Sequence, residues 1–166
     1  MEFDVIQGDI AAQSADALVN AANTSLRMGS GVAGALKRAA GSGIDDEAVA
    51  KGPVDLGGVA TTDAYALDAE YVIHAAAMPA GGASTAASIR DATRNTLAEA
   101  DALDCGSLVL PALGCGIAGF DFDDGVRIIC EEVTAFEPES LSDVRLIAYD
   151  DAEFERMREI AAEVQA

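Results

Sequence analysis

The sequence predicts an α/β protein, a three-layer α/β/α sandwich around a mixed, largely parallel central sheet of about six strands. Three observations lead there. Short apolar runs with strand character recur along the whole chain, helical patterns fill the spaces between them, and 166 residues with 51% apolar side chains can bury one substantial core but not two. Strands that alternate with helices put helices on both faces of a largely parallel sheet, whose ligands sit outside the strand carboxyl ends. A single domain over residues 1–166 is expected, with its function in the loops leaving the strands.

The strand-like runs lie at residues 2–7, 17–20, 59–65, 71–76, 107–111 and 144–149. A first helical pattern begins near Gly31 and ends toward Gly41. A second runs from about residue 84 to 103, with Ile89, Ala92, Thr96, Ala100 and Leu103 on one face. Phe122, Val126, Ile129 and Val133 mark a third, and Phe154, Met157, Ala161 and Val164 a fourth, with Asp150 placed to cap it. Residues 41–56 resist assignment beyond a helix around 45–51.

Charge narrows the partners. The formal net charge is −19, and lysine occurs only at Lys37 and Lys51, so bare nucleic acid would be repelled. The acids are spread along the chain rather than gathered in a tail. That favours a halophilic cytoplasm, where salt screens self-repulsion, over a dedicated acidic interaction surface. No basic leader and no run of about 18 apolar residues is present, so the expectation is a cytoplasmic protein without membrane contact. Cys105, Cys115 and Cys130 have no C-x-x-C spacing and His74 is the lone imidazole, so neither metal nor cofactor is expected. His74 lies inside an apolar strand and reads as a core histidine.

Two segments match G-x-G-x-x-G: Gly29, Gly31 and Gly34, and then Gly114, Gly116 and Gly119. Each is expected to open a helix. Backbone N–H groups freed of side chains, together with a helix N-terminus, make an anion cradle that needs no lysine. Tight turns or close helix–strand packing would use the same glycines. A dinucleotide-binding Rossmann unit fits poorly because the first loop starts eight residues after the strand ending at Asn20. A P-loop is excluded, since neither segment ends in Gly-Lys-Ser/Thr. Cys115 has Asp121, not arginine, six positions on, and reads as a small residue in a crowded turn rather than a phosphatase nucleophile.

Ahead of the first glycine loop stands Asn20-Ala21-Ala22-Asn23, and then Leu26 and Met28-Gly29-Ser30-Gly31-Val32. With Gly8-Asp9-Ile10, Tyr71-Val72-Ile73-His74, the run from Pro111 to Phe120 and Tyr149-Asp150, the chain resembles the macro-domain family over nearly its entire length. The resemblance implies the macro-domain fold and, as ligand, ADP-ribose or a related nucleotide, free or carried on ADP-ribosylated macromolecules. It implies that Asp9, with Ile10 beside it, accepts a hydrogen bond from the adenine amino group while Tyr149 stacks on the ring. Asn23 would contact the distal ribose, and Gly29, Ser30, Gly31 and Val32 would line that ribose and its phosphate. Gly114, Cys115, Gly116, Ile117, Ala118 and Gly119 would wrap the diphosphate, and Phe120 would close the cleft. Locally, Asp9 is equally suited to cap a short helix at 10–13, and Asn20 and Asn23 to satisfy turn backbone.

The chain departs from the family where catalysis is at stake. The branch that hydrolyses ADP-ribosyl esters continues its loop Val-Asp-Gly; here the run is Val32-Ala33-Gly34. Gly114, Cys115 and Ala118 replace hydroxyl-bearing residues of the second loop. Binding of ADP-ribose or ADP-ribosylated targets is therefore the expected function. The alternative is a slow hydrolase of ADP-ribose derivatives (ADP-ribose 1″-phosphate, O-acetyl-ADP-ribose or mono-ADP-ribosyl esters), with Asn23 its candidate catalytic residue.

Overall fold

A computed structural model describes residues 1–29, 31–116 and 119–166. Its strands are β1 (Asp4–Gln7), β2 (Ala17–Asn23), β3 (Val59–Asp63), β4 (Tyr71–Met78), β5 (Ser107–Pro111) and β6 (Asp143–Ala148). Its helices are α1 (Gly31–Ala40), α2 (Gly43–Lys51), α3 (Ala86–Ala102), α4 (Phe122–Ala135) and α5 (Asp151–Gln165). The sheet order is β1-β6-β5-β2-β4-β3, and every pairing is parallel except that of edge strand β3 with β4.

Alternation along the strands makes the layers. In β2, Ala17 and Val19 join Ile73, Leu108 and Leu146 in the core beneath α3, α4 and α5, whereas Leu18 joins Val72, Val109 and Ile147 beneath α1. The mixed, mostly parallel α/β fold expected from the sequence is therefore the one observed. Between β5 and β2 the connections depart in opposite directions, since β2 leads through α1 and α2 toward β3 and β4 while β5 leads through α4 to β6. That reversal opens a crevice at the carboxyl ends of the central strands.

Local chemistry places the helices. Thr85 caps α3 reciprocally with Ser88, so the helix starts at Ala86, two residues after the predicted start. Asp150 caps α5 through the Glu153 N–H, as its position suggested. The unassigned stretch contains α2, which buries only Ile44 and Ala48. The helix expected around 45–51 is thus present and begins two residues earlier, at Gly43.

Asn20 corrects a turn expectation. β2 runs on to Asn23 because it pairs with β4 through Ala22–Ala76 and Asn23–Met78, so Asn20 is fully buried in mid-strand. Its Nδ2 lies 3.0 Å from His74 Nδ1, and His74 Nε2 lies 2.9 Å from Thr62 Oγ1. One proton order serves the row: Asn20 donates to Nδ1, Nε2–H donates to Thr62, and the Thr62 hydroxyl donates to Asp63 O. His74 is thus a neutral core histidine, and burial depresses its pKa from 6.5 to about 4.

Between pH 6.5 and about 4 the unfolded chain takes up a proton at His74 that the folded chain refuses, so stability should fall as pH drops through this window. The full loss is about 3 kcal/mol. Nuclear magnetic resonance of this one imidazole, at constant salt, should show no titration between pH 7.5 and 5; a midpoint near 6.5 would mean the ring is solvated.

Candidate functional site

β6, β5, β2 and β4, adjacent in the sheet, end at a cleft of about 480 Å³, a volume suited to a nucleotide-sized ligand. Asn23, Met78, Pro111 and Ala148 reach it from the strand ends. Gly29, Gly31, Val32 and Ala33 form one wall, and Gly114, Cys115 and Gly116 the other. Tyr149 stands at the mouth, just past β6, and is 77% exposed. The wall is mostly apolar; among the described residues Arg27 and Glu153 are its charged members.

The glycines divide into two kinds. A Cβ on Gly34 would lie 3.0 Å from Gly29 O, and one on Gly114 would lie 2.6 Å from Ser84 Oγ and 2.9 Å from Ile89 Cγ1. Close packing alone explains those two, and Gly114 also has φ +74°. At Gly29 and Gly116 a Cβ would meet nothing within 4 Å. Packing gives no reason for glycine at either position, yet both border the cleft, where a side chain would occupy ligand space.

Only one glycine loop runs straight into a helix. α1 begins at Gly31, has no acidic residue in its first turn, and places Gly31, Val32 and Ala33 in the cleft wall. The N-terminus of a helix offers backbone N–H groups and a partial positive charge to an anion. The second segment ends at Gly119, whereas α4 begins at Phe122. There Asp121 accepts the Asp124 N–H at 2.9 Å, and Asp123 and Asp124 complete an acidic first turn. Carboxylates already neutralise that terminus, so the expectation of a helix N-terminus behind both loops holds only for the first.

Asn23 Oδ1 accepts from Ser25 N–H at 2.9 Å and from Ser25 Oγ, which turns the carbonyl toward its own loop and the amide Nδ2 away from Ser25. Asp9 caps a 3-10 turn over Ile10–Ala12, accepting the Ala11 N–H at 2.9 Å. It sits beside the end of β6, where Gly8 N–H donates to Ala148 O, but outside the residues that line the cleft. Ile10 is buried in the core with Ile147. Phe120, expected to close the cleft, packs against the core; Phe122 lines the cleft instead. Ser30, Ile117 and Ala118 lie outside the described residues.

Cys115 borders the cleft but is no nucleophile. Its Sγ faces the Leu113 carbonyl at 3.4 Å, presses on Gly125 of α4, and burial pushes the thiol up to about 12. Since Cys105 and Cys130 are also buried, a thiol reagent at pH 8 should label the folded protein at none of its cysteines. Rapid labelling of Cys115 would show that the loop opens. Glu153, held above the usual carboxylate range by burial and then by Asp150, is a lining residue the sequence did not single out. Its place one helical turn beyond Tyr149 was the available signal. Arg27 was also missed, although an arginine just before a glycine loop is conspicuous in a chain with only 10 basic residues. No helix among the described residues is long and apolar enough to cross a membrane.

Comparison with known proteins gives this cleft a context. The family model for the Macro domain matches residues 19–129. A Mycobacterium tuberculosis protein is 41% identical over 166 residues, which is 100% of this chain but 45% of the relative, so the chain spans under half the length of such mycobacterial relatives. A Saccharolobus solfataricus protein is 40% identical over 153 residues, covering 90% of this chain and 86% of its own. Among solved structures, an Oceanobacillus iheyensis macrodomain superposes with a TM-score of 0.87 at 22% identity, covering 97% of this chain and 91% of that one. The Trypanosoma brucei macrodomain in complex with ADP-ribose superposes with a TM-score of 0.86 at 25% identity, covering 93% of this chain and 67% of that one.

Proposed function

Because the chain belongs to the macro domain family, we propose that its cleft binds ADP-ribose, free or carried on a macromolecule, and that binding rather than turnover is its task. The observation that carries this reading is the pair of side-chain-free positions, Gly29 and Gly116, which face open space across the cleft beside the first turn of α1, a turn without acidic residues. A diphosphate held there would meet backbone N–H groups and the helix dipole, which cost this acidic protein no lysine. The Asn23 amide would then donate to the distal ribose, and Tyr149 would cover the adenine. The co-structure of the Trypanosoma brucei macrodomain with ADP-ribose supports the choice of ligand.

Ala33 weighs against hydrolysis. It lines the cleft and is buried, so a methyl group stands where the ester-hydrolysing branch has an aspartate, and it can neither orient a water nor take a proton. Calorimetric titration in about 2 M salt, where surface repulsion is screened, tests the proposal with AMP as control. ADP-ribose should bind saturably and at least about tenfold more tightly than AMP, since AMP lacks the distal phosphate and ribose. A folded sample that binds neither would sink the proposal, and brisk release of ADP-ribose from an ester substrate would replace it with the hydrolase.

A further inference from the structure

With 29 acidic residues against 10 basic ones, a basic side chain on this surface meets a carboxylate by default. Both lysines and six of the arginines do so. Among the described residues, Arg27 and Arg38 have no such partner, and both flank the first glycine loop. Arg27 lines the cleft next to Met28 and Gly29. Arg38, one turn along α1 from Gly34, folds back so that its Nη1 lies 3.1 Å from where a Gly34 Cβ would sit; the Gly29 carbonyl lies 3.0 Å from the same point. The carboxylate that acts on Arg27 electrostatically, Asp45, has both oxygens engaged: Oδ1 accepts the Met28 N–H at 2.8 Å and Oδ2 takes Lys37 at 3.1 Å.

We infer that Arg27 and Arg38 form an anion-reading rim that receives an acidic polypeptide segment next to the residue carrying ADP-ribose. The inference rests on the function proposed above. Arg27 belongs to the cleft wall and Arg38 does not, so an anionic partner that meets both must leave the cleft across Gly29 and continue over its edge. Separately spaced carboxylates suit two separate guanidinium forks, each able to take a carboxylate with two hydrogen bonds. Nucleic acid fits less well, because its unbroken line of phosphates would run on over a surface that is acidic elsewhere. The same acidic surface repels an acidic peptide everywhere but here, so the rim would set its register as well as hold it.

Synthetic peptides carrying one ADP-ribose, flanked by Asp and Glu or by Asn and Gln, test this against free ADP-ribose. The acidic flank should tighten binding about tenfold, and the gain should shrink as salt is raised. Arg38→Gln should remove most of the gain while free ADP-ribose binds as before; Arg27→Gln combined with it should remove the rest. Equal affinity for both peptides, or a gain that survives the double substitution, would overturn the inference. So would an equal gain for an ADP-ribosylated oligonucleotide. Free ADP-ribose titrated in parallel separates the two failures, since loss of its binding to the unsubstituted protein removes the proposed function itself, and binding without a flank effect removes only the rim.

Discussion

Gly114→Ala should lower both the melting temperature and the affinity for ADP-ribose, and it is expected to be the most damaging single methyl group in the cleft wall. The backbone at Gly114 has φ +74°, which an L side chain adopts at a cost of about 1–3 kcal/mol. The new methyl would also overlap Ser84 Oγ at 2.6 Å, Ile89 Cγ1 at 2.9 Å and Ser84 Cβ at 3.0 Å, overpacking worth a further 1–3 kcal/mol or so. Together these amount to about 2–6 kcal/mol, or roughly 4–24 °C in a domain of this size. Relief must come from movement of the loop between β5 and α4, which borders the cleft, so affinity should drop by roughly tenfold or more. Ser84→Gly in the same chain removes two of the three contacts and should restore part of the stability, leaving the backbone cost. Calorimetric melting of both variants checks this; a single variant that melts like the parent would show that the turn is not held where it stands.

Tyr149→Ala should do the opposite: a large loss of affinity with no loss of stability. At 77% exposure the ring buries little on folding, so removing it should change stability by less than about 0.5 kcal/mol. Stacking of an aromatic ring on a base contributes about 1–3 kcal/mol, and ADP-ribose should bind roughly 5–150-fold more weakly. Tyr149→Phe, which keeps the ring face, should bind nearly as the parent does. Equal affinity in the alanine variant would place the base elsewhere, and the half-buried flank formed by Phe122 would be the next surface to test.

The order of motifs along the chain made the cleft legible before any fold was in hand. Asn23, Gly29, Gly31, Val32, Gly114, Cys115, Gly116 and Tyr149 all came from that reading, and all line it. Asp9 and Phe120 did not follow, for a shared reason. Each belongs to a local structure: Asp9 Oδ1 caps a turn, and Phe120 packs on the core beside Gly125. The acidic first turn of α4 was visible in the letters as Asp121, Asp123 and Asp124. Its consequence appeared only when the helix start moved from the glycines to Phe122.

Features that depend on neighbours a few residues apart were therefore legible in the amino-acid order alone. The alternation of strands and helices, the cap at Asp150, the two glycine loops and the excess of acid over base are of that kind. Tertiary structure alone decided that Asn20 pairs with His74 54 residues away, and that Gly114 is required by Ser84 and Ile89 while Gly29 and Gly116 are not. It also decided that, among the described residues, Arg27 and Arg38 lack an ion-pair partner within salt-bridge distance and flank the glycine loop that leads into α1. The physical reason is the same in each case: burial, steric overlap and charge pairing act through space between segments that the parallel sheet brings together, and no local pattern encodes which partner a side chain will meet.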